Sequence, residues 1–298
     1  MSKHGETISS ELGYQQPYRW DAILKFFAGR AIAGVEIVKD DAYFRTVRIA
    51  HDEGQLLHGW LKVSNNPDKC TLTITANNAL NPALPKILSQ VERQFDLLCD
   101  PKEVYDKLSV MDEIRPDLCK IGTRVPGCFD AFEMSVRAVL GQQITVKAAG
   151  TLAARIARSF GMPLQTHIEE LTHTFPSPED ILNLGDDIVE RFGEHGVISA
   201  RSRTIQELAR CFKKNDIDFT TCTNPEKEIE KLSKIRGIGR WTANYIAMRA
   251  MGFKDAFLET DYGVKKALRC DNPKQILALA EKWRPWRSYA TVNLWNSL

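Results

Sequence analysis

Leu232-Ser-Lys-Ile-Arg-Gly-Ile-Gly-Arg-Trp-Thr-Ala-Asn-Tyr245 is the stretch on which the reading of the chain turns. Its opening residues continue a helical pattern, Gly237-Ile238-Gly239 interrupts it, and a second helical run starts at Arg240. Two residues without side chains let the backbone turn sharply and approach another molecule closely. The helix that follows begins with unpaired N–H groups, which bind a phosphate without much net charge. A plain turn between two packed helices fits the same residues, so the neighbouring sequence has to decide.

Downstream, Met251-Gly-Phe-Lys-Asp-Ala-Phe-Leu-Glu-Thr-Asp261 reads as a loop ending in a carboxylate. Tyr262-Gly-Val-Lys-Lys266 then fits a helix start. Locally, Asp261 is an N-cap candidate. Trp241 and Tyr245 are four apart and share a helix face, which suits either core packing or a pocket wall.

Charge is distributed unevenly. The net charge is +2, yet from Arg201 onward there are nineteen Lys and Arg against eleven Asp and Glu. A basic last third suits a polyanion, and it equally suits a solvated surface. The seven cysteines are scattered, with no C-x-x-C spacing. That pattern argues against a disulfide framework, a zinc ribbon or an iron–sulfur cluster. The six histidines include no H-x-x-x-H pair, so no metal site is expected. No apolar run reaches the ~18–20 residues of a membrane span. Met1 to Gly13 is polar, lacks a signal-peptide core, and reads as a short frayed tail on an intracellular protein.

Working toward the N-terminus, Gly34–Val38, Tyr43–Ala50, Gln55–Val63 and Cys70–Thr75 read as strands, with Asn65-Asn66-Pro67 as a turn between the last two. A helix follows from about Pro82 to Leu98, with Leu84, Ile87, Leu88, Val91 and Phe95 on one face. Beyond Pro101 nearly everything reads as helix, including a start at Pro178 with Ser177 as its cap. The expected fold is mainly α with an α+β N-terminal domain.

Taken together, these residues resemble the helix-hairpin-helix DNA glycosylase superfamily, most closely its bacterial 3-methyladenine DNA glycosylase II family. Four ordered blocks carry the resemblance: residues 16–27, opening Gln16-Pro-Tyr-Arg-Trp; Arg124-Val-Pro-Gly-Cys-Phe-Asp with Arg137-Ala-Val-Leu-Gly-Gln142; Arg240-Trp-Thr-Ala-Asn-Tyr245; and Pro285-Trp-Arg-Ser-Tyr-Ala290 with Trp295. The usual proline of the loop before the aspartate is replaced by Glu259-Thr260. The resemblance implies an antiparallel, TATA-binding-protein-like sheet domain over 1–106 and a helical domain with the hairpin over 131–248. It implies a discontinuous helical domain over 107–130 and 249–298. It assigns catalysis to Asp261 and a base pocket to Trp241, Tyr245, Trp295 and Phe26, although Phe26 lies in an apolar run that also suits a core. It assigns DNA contact to Gly237, Ile238, Gly239, Arg240, Thr242, Gln142 and Gln143. Gln143 takes the position of the side chain that fills the gap in the base stack, and a turn or cap role fits it too.

The chemistry expected of such a site follows from its substrate. A base buried in a duplex must be flipped out, at a cost of about a few kcal/mol. Alkylation at a purine N3 or N7 makes the base cationic, and aromatic faces hold a cation at ~0.5–2 kcal/mol each. A cationic base is already a good leaving group, so the enzyme needs a carboxylate near C1′ rather than a strong acid. Asp261 would stabilise the developing positive charge, or orient the attacking water. Superfamily members that cut the strand carry a lysine where this chain has Trp241, which cannot be a nucleophile. The resemblance therefore implies a monofunctional, hydrolytic enzyme. It would need no cofactor, have a monovalent cation held at most by the hairpin carbonyls, act on double-stranded DNA with alkylated bases, and be a cytoplasmic monomer. A glycosylase for oxidised bases and a helix-hairpin-helix protein that binds DNA without catalysis are the alternatives.

Overall fold

A computed structural model describes residues 6–51, 55–220 and 222–298. The N-terminal part is one antiparallel sheet of β1 (Thr7–Gly13), β2 (Glu36–Lys39), β3 (Ala42–Ala50), β4 (Leu56–Asn66) and β5 (Thr71–Asn77). Their spatial order is β1-β5-β4-β3-β2. Tyr43, Val47, Leu61, Val63, Leu72 and Ile74 line its inner face. Two helices cover that face, α1 (Trp20–Ala28) with Ile23, Leu24 and Phe27, and α2 (Leu84–Gln94) with Ile87 and Val91. The helix expected over Pro82–Leu98 is thus shorter, with a 3₁₀ turn at Asn78–Ala83 before it.

The frayed tail expected over Met1–Gly13 is corrected for Thr7–Gly13, which pairs with Thr71–Asn77 as an edge strand. Met1–Gly5 lie outside the described residues. Polar Thr7-Ile-Ser-Ser-Glu-Leu-Gly13 makes a strand because an edge needs only alternate positions to be sheltered. Ile8 and Leu12 supply them by packing against the core under the sheet.

Eleven more helices follow among the described residues: α3 (Pro101–Leu108), α4 (Ala131–Leu140), α5 (Val146–Phe160), α6 (Pro178–Leu182), α7 (Ile188–Gly193), α8 (Ser199–Lys214), α9 (Pro225–Lys234), α10 (Arg240–Ala250), α11 (Tyr262–Leu268), α12 (Pro273–Ala280) and α13 (Arg287–Asn296). Several begin at caps visible in the sequence. Ser177 and Asp180 form a reciprocal capping box at α6, and Asp130 accepts the Glu133 N–H at α4.

The helices build two cores. One joins Val136, Val139 and Leu140 of α4 to Ile156 of α5, Ile205 and Leu208 of α8, and Ala243 and Ile246 of α10. The other joins Val104, Leu108, Met111 and Leu118 to Phe257, Val264, Trp283, Tyr289 and Leu294, so two segments distant in sequence pack together. Helix α10 belongs to both, because Met248 enters the second core and Tyr245 packs against each. Its N-terminal half is thereby held at the boundary between the cores.

A buried charge cluster ties the sheet to the helices. Arg45 of β3 donates to Glu133 of α4 at 2.7 Å, and Arg137 of α4 donates to Glu36 of β2 at 2.9 Å and to Glu133 at 3.0 Å. The Tyr43 hydroxyl donates to Glu36 at 2.5 Å. Burial would raise the Glu36 carboxyl, but Arg137 and Arg45 outweigh it and hold the group below the usual carboxylate range.

Candidate active site

The hairpin is α9, the loop from Ile235 to Gly239, and α10. Gly237 has φ +94°, and a Cβ there would fall 2.2 Å from Thr204 Oγ1, so both backbone and space require glycine. Thr204 donates to the Arg236 carbonyl at 2.8 Å, which fastens the loop to α8. Gln142 Nε2 donates to the Gly237 carbonyl at 2.8 Å and to Thr242 Oγ1 at 3.0 Å, and Arg201 donates to the Gln142 carbonyl. The connection from α4 to α5 is therefore locked to the hairpin.

Gly239 caps α10 with no side-chain acceptor, so the first-turn N–H groups of that helix have no partner from a cap. Ile238 and Thr242 are each 3% exposed. Their side chains turn inward, Ile238 into the core and Thr242 onto Gln142, so DNA contact assigned to them can involve only backbone. Arg240 is largely exposed and paired with Glu259 at 2.8 Å.

Asp261 is the N-cap of α11. Its Oδ1 accepts the Val264 N–H at 3.0 Å and the Trp295 indole N–H at 2.9 Å, while Oδ2 accepts the Trp241 indole N–H at 3.3 Å. Both local readings of this residue hold at once, a helix cap and a cleft carboxylate. No ion pair to it exists among the described residues. Three neutral donors orient the carboxylate and leave its charge uncompensated by any cation in contact.

The carboxylate stands on the wall of a cleft of about 500 Å³. Trp241 and Tyr245 stack at 5.1 Å and 15°, and Tyr245 meets Trp295 edge-on at 6.3 Å. Trp295 in turn stacks on Phe26 at 6.2 Å and 22°. Trp241, Tyr245 and Trp295 line the cleft; Phe26 does not. It lies buried behind Trp295, with the Arg30 guanidinium 3.8 Å and that of Arg249 4.7 Å from its ring centre. Its part is to back the Trp295 ring.

Gly141 after α4 and Ala149, Gly150 and Ala153 of α5 also line the cleft, small residues that leave it space. Arg30, Arg137 and Arg249 also line the cleft and were missed in sequence. Arg249 donates to the Tyr245 hydroxyl at 2.9 Å and to the carbonyls of Pro126 and Gly127. Burial alone would raise the Tyr245 phenol; Arg249, Arg30 and Arg137 outweigh it, and the net shift is downward. Among the described residues that line the cleft there is no lysine, the side chain a Schiff base would need. Gln143, next in the chain to the lining residue Ile144, is exposed in left-handed backbone at φ +55°; Ile144 and Val146 are exposed and line the cleft. Tyr262, 78% exposed, follows the aspartate and lines the same cleft.

A hairpin with a free helix N-terminus, fastened beside an aromatic cleft that carries one unpaired carboxylate, defines a nucleic-acid-processing class of site. Comparison with known proteins gives the family. Residues 9–130 match the AlkA N-terminal domain, and residues 136–282 match the HhH-GPD superfamily base excision DNA repair protein. The chain is 35% identical over 286 residues to DNA-3-methyladenine glycosylase 2 of Escherichia coli strain K12, covering 95% of each. Solved structures share the fold. The 3-methyladenine DNA-glycosylase from Archaeoglobus fulgidus matches with TM-score 0.72 at 22% identity, over 96% of this chain and 97% of that one. The Clostridium acetobutylicum 8-oxoguanine glycosylase/lyase in complex with double-stranded DNA matches with TM-score 0.62 at 16% identity, over 89% and 97%. The protein belongs to the HhH-GPD superfamily of base excision DNA repair proteins.

Proposed function

We propose that this protein is a monofunctional DNA glycosylase that hydrolyses the N-glycosidic bond of alkylated bases, such as 3-methyladenine and 7-methylguanine, in duplex DNA. The observation that carries this reading is Asp261, a carboxylate aimed by two indole N–H groups and one backbone N–H on the wall of a cleft beside the hairpin. The E. coli relative named DNA-3-methyladenine glycosylase 2 supports the choice of substrate.

The DNA backbone docks on the first-turn N–H groups of α10 and the Gly237–Gly239 turn. A flipped nucleotide enters the cleft, and Gln143 at the tip of the α4–α5 connection fills the gap it leaves. The outer faces of the stacked Trp241 and Tyr245 rings receive the cationic base. As the bond to C1′ breaks, positive charge grows on the sugar and Asp261 stabilises it. Because the leaving base is already charged, no acid is needed behind it. With Trp241 at the nucleophile position and no lysine among the described residues of the wall, water completes the reaction and the strand stays intact. No cofactor takes part in this chemistry. A monovalent cation at the hairpin would be held by the carbonyls of Ile235, Arg236 and Gly237, each of which gives one lone pair to a protein donor and keeps a second. The enzyme works as a monomer on chromosomal DNA in the cytoplasm; no helix among the described residues is long and apolar enough to cross a membrane.

Incubation with methylated duplex DNA in EDTA tests the reading. The expected result is release of free methylated purine and no covalent adduct on borohydride treatment. A borohydride-trapped adduct would move the protein to the lyase class, and tight DNA binding without base release would make it a binding protein.

A further inference from the structure

Gly263 is the second residue of α11, and its φ lies outside the left-handed region, so the backbone there suits any residue. Within a helix glycine is less favourable than alanine. The space around it explains why it is there. A Cβ at this position would lie 2.8 Å from Trp295 Cδ1, 3.1 Å from Trp295 Nε1 and 3.1 Å from Asp261 Oδ1. The last two of these atoms form the 2.9 Å bond from the Trp295 indole to the carboxylate.

Neither partner can yield without loss. Trp295 is held by its stack on Phe26 and its edge contact with Tyr245. Asp261 is held by capping Val264. A methyl group at 263 must therefore push the indole and the carboxylate aside and distort the bond between them. Nothing else within 4 Å of that Cβ ranks among its three nearest neighbours.

We infer that Gly263 is a positioning residue: its missing side chain lets the Trp295 indole reach Asp261 and fix the carboxylate beside the bound sugar. This rests on the functional reading above. It acts on bond cleavage, through Trp295, rather than on DNA affinity.

The test compares wild type, Gly263→Ala, Trp295→Ala and the double variant. Single-turnover release of methylated purine from alkylated duplex DNA is measured beside the Kd for that DNA. Gly263→Ala is expected to slow release at least about tenfold while Kd changes less than about threefold. In the Trp295→Ala background the same change is expected to cost less than about twofold, because its target is gone. Wild-type rates in Gly263→Ala, or its full defect persisting without Trp295, overturns the inference. A second readout is independent of activity. In protein labelled with ¹⁵N-tryptophan, the Trp295 indole N–H signal, identified by its loss in Trp295→Ala, is expected to shift and exchange faster in Gly263→Ala. An unmoved signal overturns the inference. If wild type releases no base, the functional reading fails and the indole signal still decides the role of Gly263.

Discussion

Two sets of carboxylates in this molecule are handled in opposite ways. Glu36 and Glu133 lie buried in the seam between the sheet and α4, and each is matched by the guanidinium of Arg45 or Arg137. Asp261 stands on an open wall and is held only by neutral N–H groups. In the seam the charges cancel, leaving a geometric lock that joins one domain to the next. In the cleft the charge is aimed and left unpaired, as the proposed reaction on a substrate that becomes positive requires. A carboxylate that must act on a cation is oriented by dipoles, because a guanidinium in contact would neutralise it.

That contrast is broken most forcefully at the seam. Glu133→Gln leaves two buried guanidiniums facing one carboxylate, and breaking a buried pair in this way costs about 3–5 kcal/mol. The expected result is a thermal or urea midpoint lowered accordingly, with base release per folded molecule close to wild type. An unchanged midpoint would mean that the seam charges hold nothing together.

Asp96 offers a third arrangement, a half-buried residue whose Oδ2 accepts the Val125 N–H at 3.0 Å with no ion pair among the described residues. Burial pushes its carboxyl up to about 6. The folded state therefore holds this proton more tightly than the unfolded chain does. Its contribution is fully present below about pH 4 and is lost as pH rises through about 6. Asp96→Asn keeps an acceptor for Val125 and carries no charge. Its stability relative to wild type is expected to rise by about 2 kcal/mol between pH 4 and pH 7, read from unfolding midpoints across that range. A constant difference would show that Asp96 is not proton-linked to folding.

The smallest effect belongs to Trp241. Trp241→Phe keeps the ring that stacks on Tyr245 and removes the 3.3 Å N–H bond to Asp261. A hydrogen bond of about 1 kcal/mol corresponds to a roughly fivefold slower release with little change in affinity. A loss confined to affinity would place Trp241 in base binding alone.

The sequence disclosed the parts whose physics is local. The Gly237–Gly239 turn, the Ser177 cap and the strands rich in Val, Ile and Thr each carry their reason within a few residues. Asp261 was legible as a cap because the residue type and the following helix sufficed. The parts built across distance were not. Arg30, Arg137 and Arg249 come from the turn after α1, from α4 and from α10, and meet only in the folded chain. Phe26 was read as pocket or core, and only the placement of Trp295 in front of it decides. The α5 wall had a readable signal in Ala149 and Ala153 one turn apart, but small residues on a helix face suit many neighbours. β1 was missed because an edge strand needs so few apolar residues.

The most direct measurement is base release from methylated duplex DNA by wild type and Asp261→Asn, with unfolding midpoint and DNA affinity measured on both. Asparagine keeps an oxygen for the cap and removes the charge. The account predicts a midpoint lowered by about 1 kcal/mol in stability for the lost Trp241 bond, DNA binding close to wild type, and release slowed by about 10³-fold or more. Release by Asp261→Asn at the wild-type rate would contradict it, and would remove the unpaired carboxylate from the centre of the mechanism.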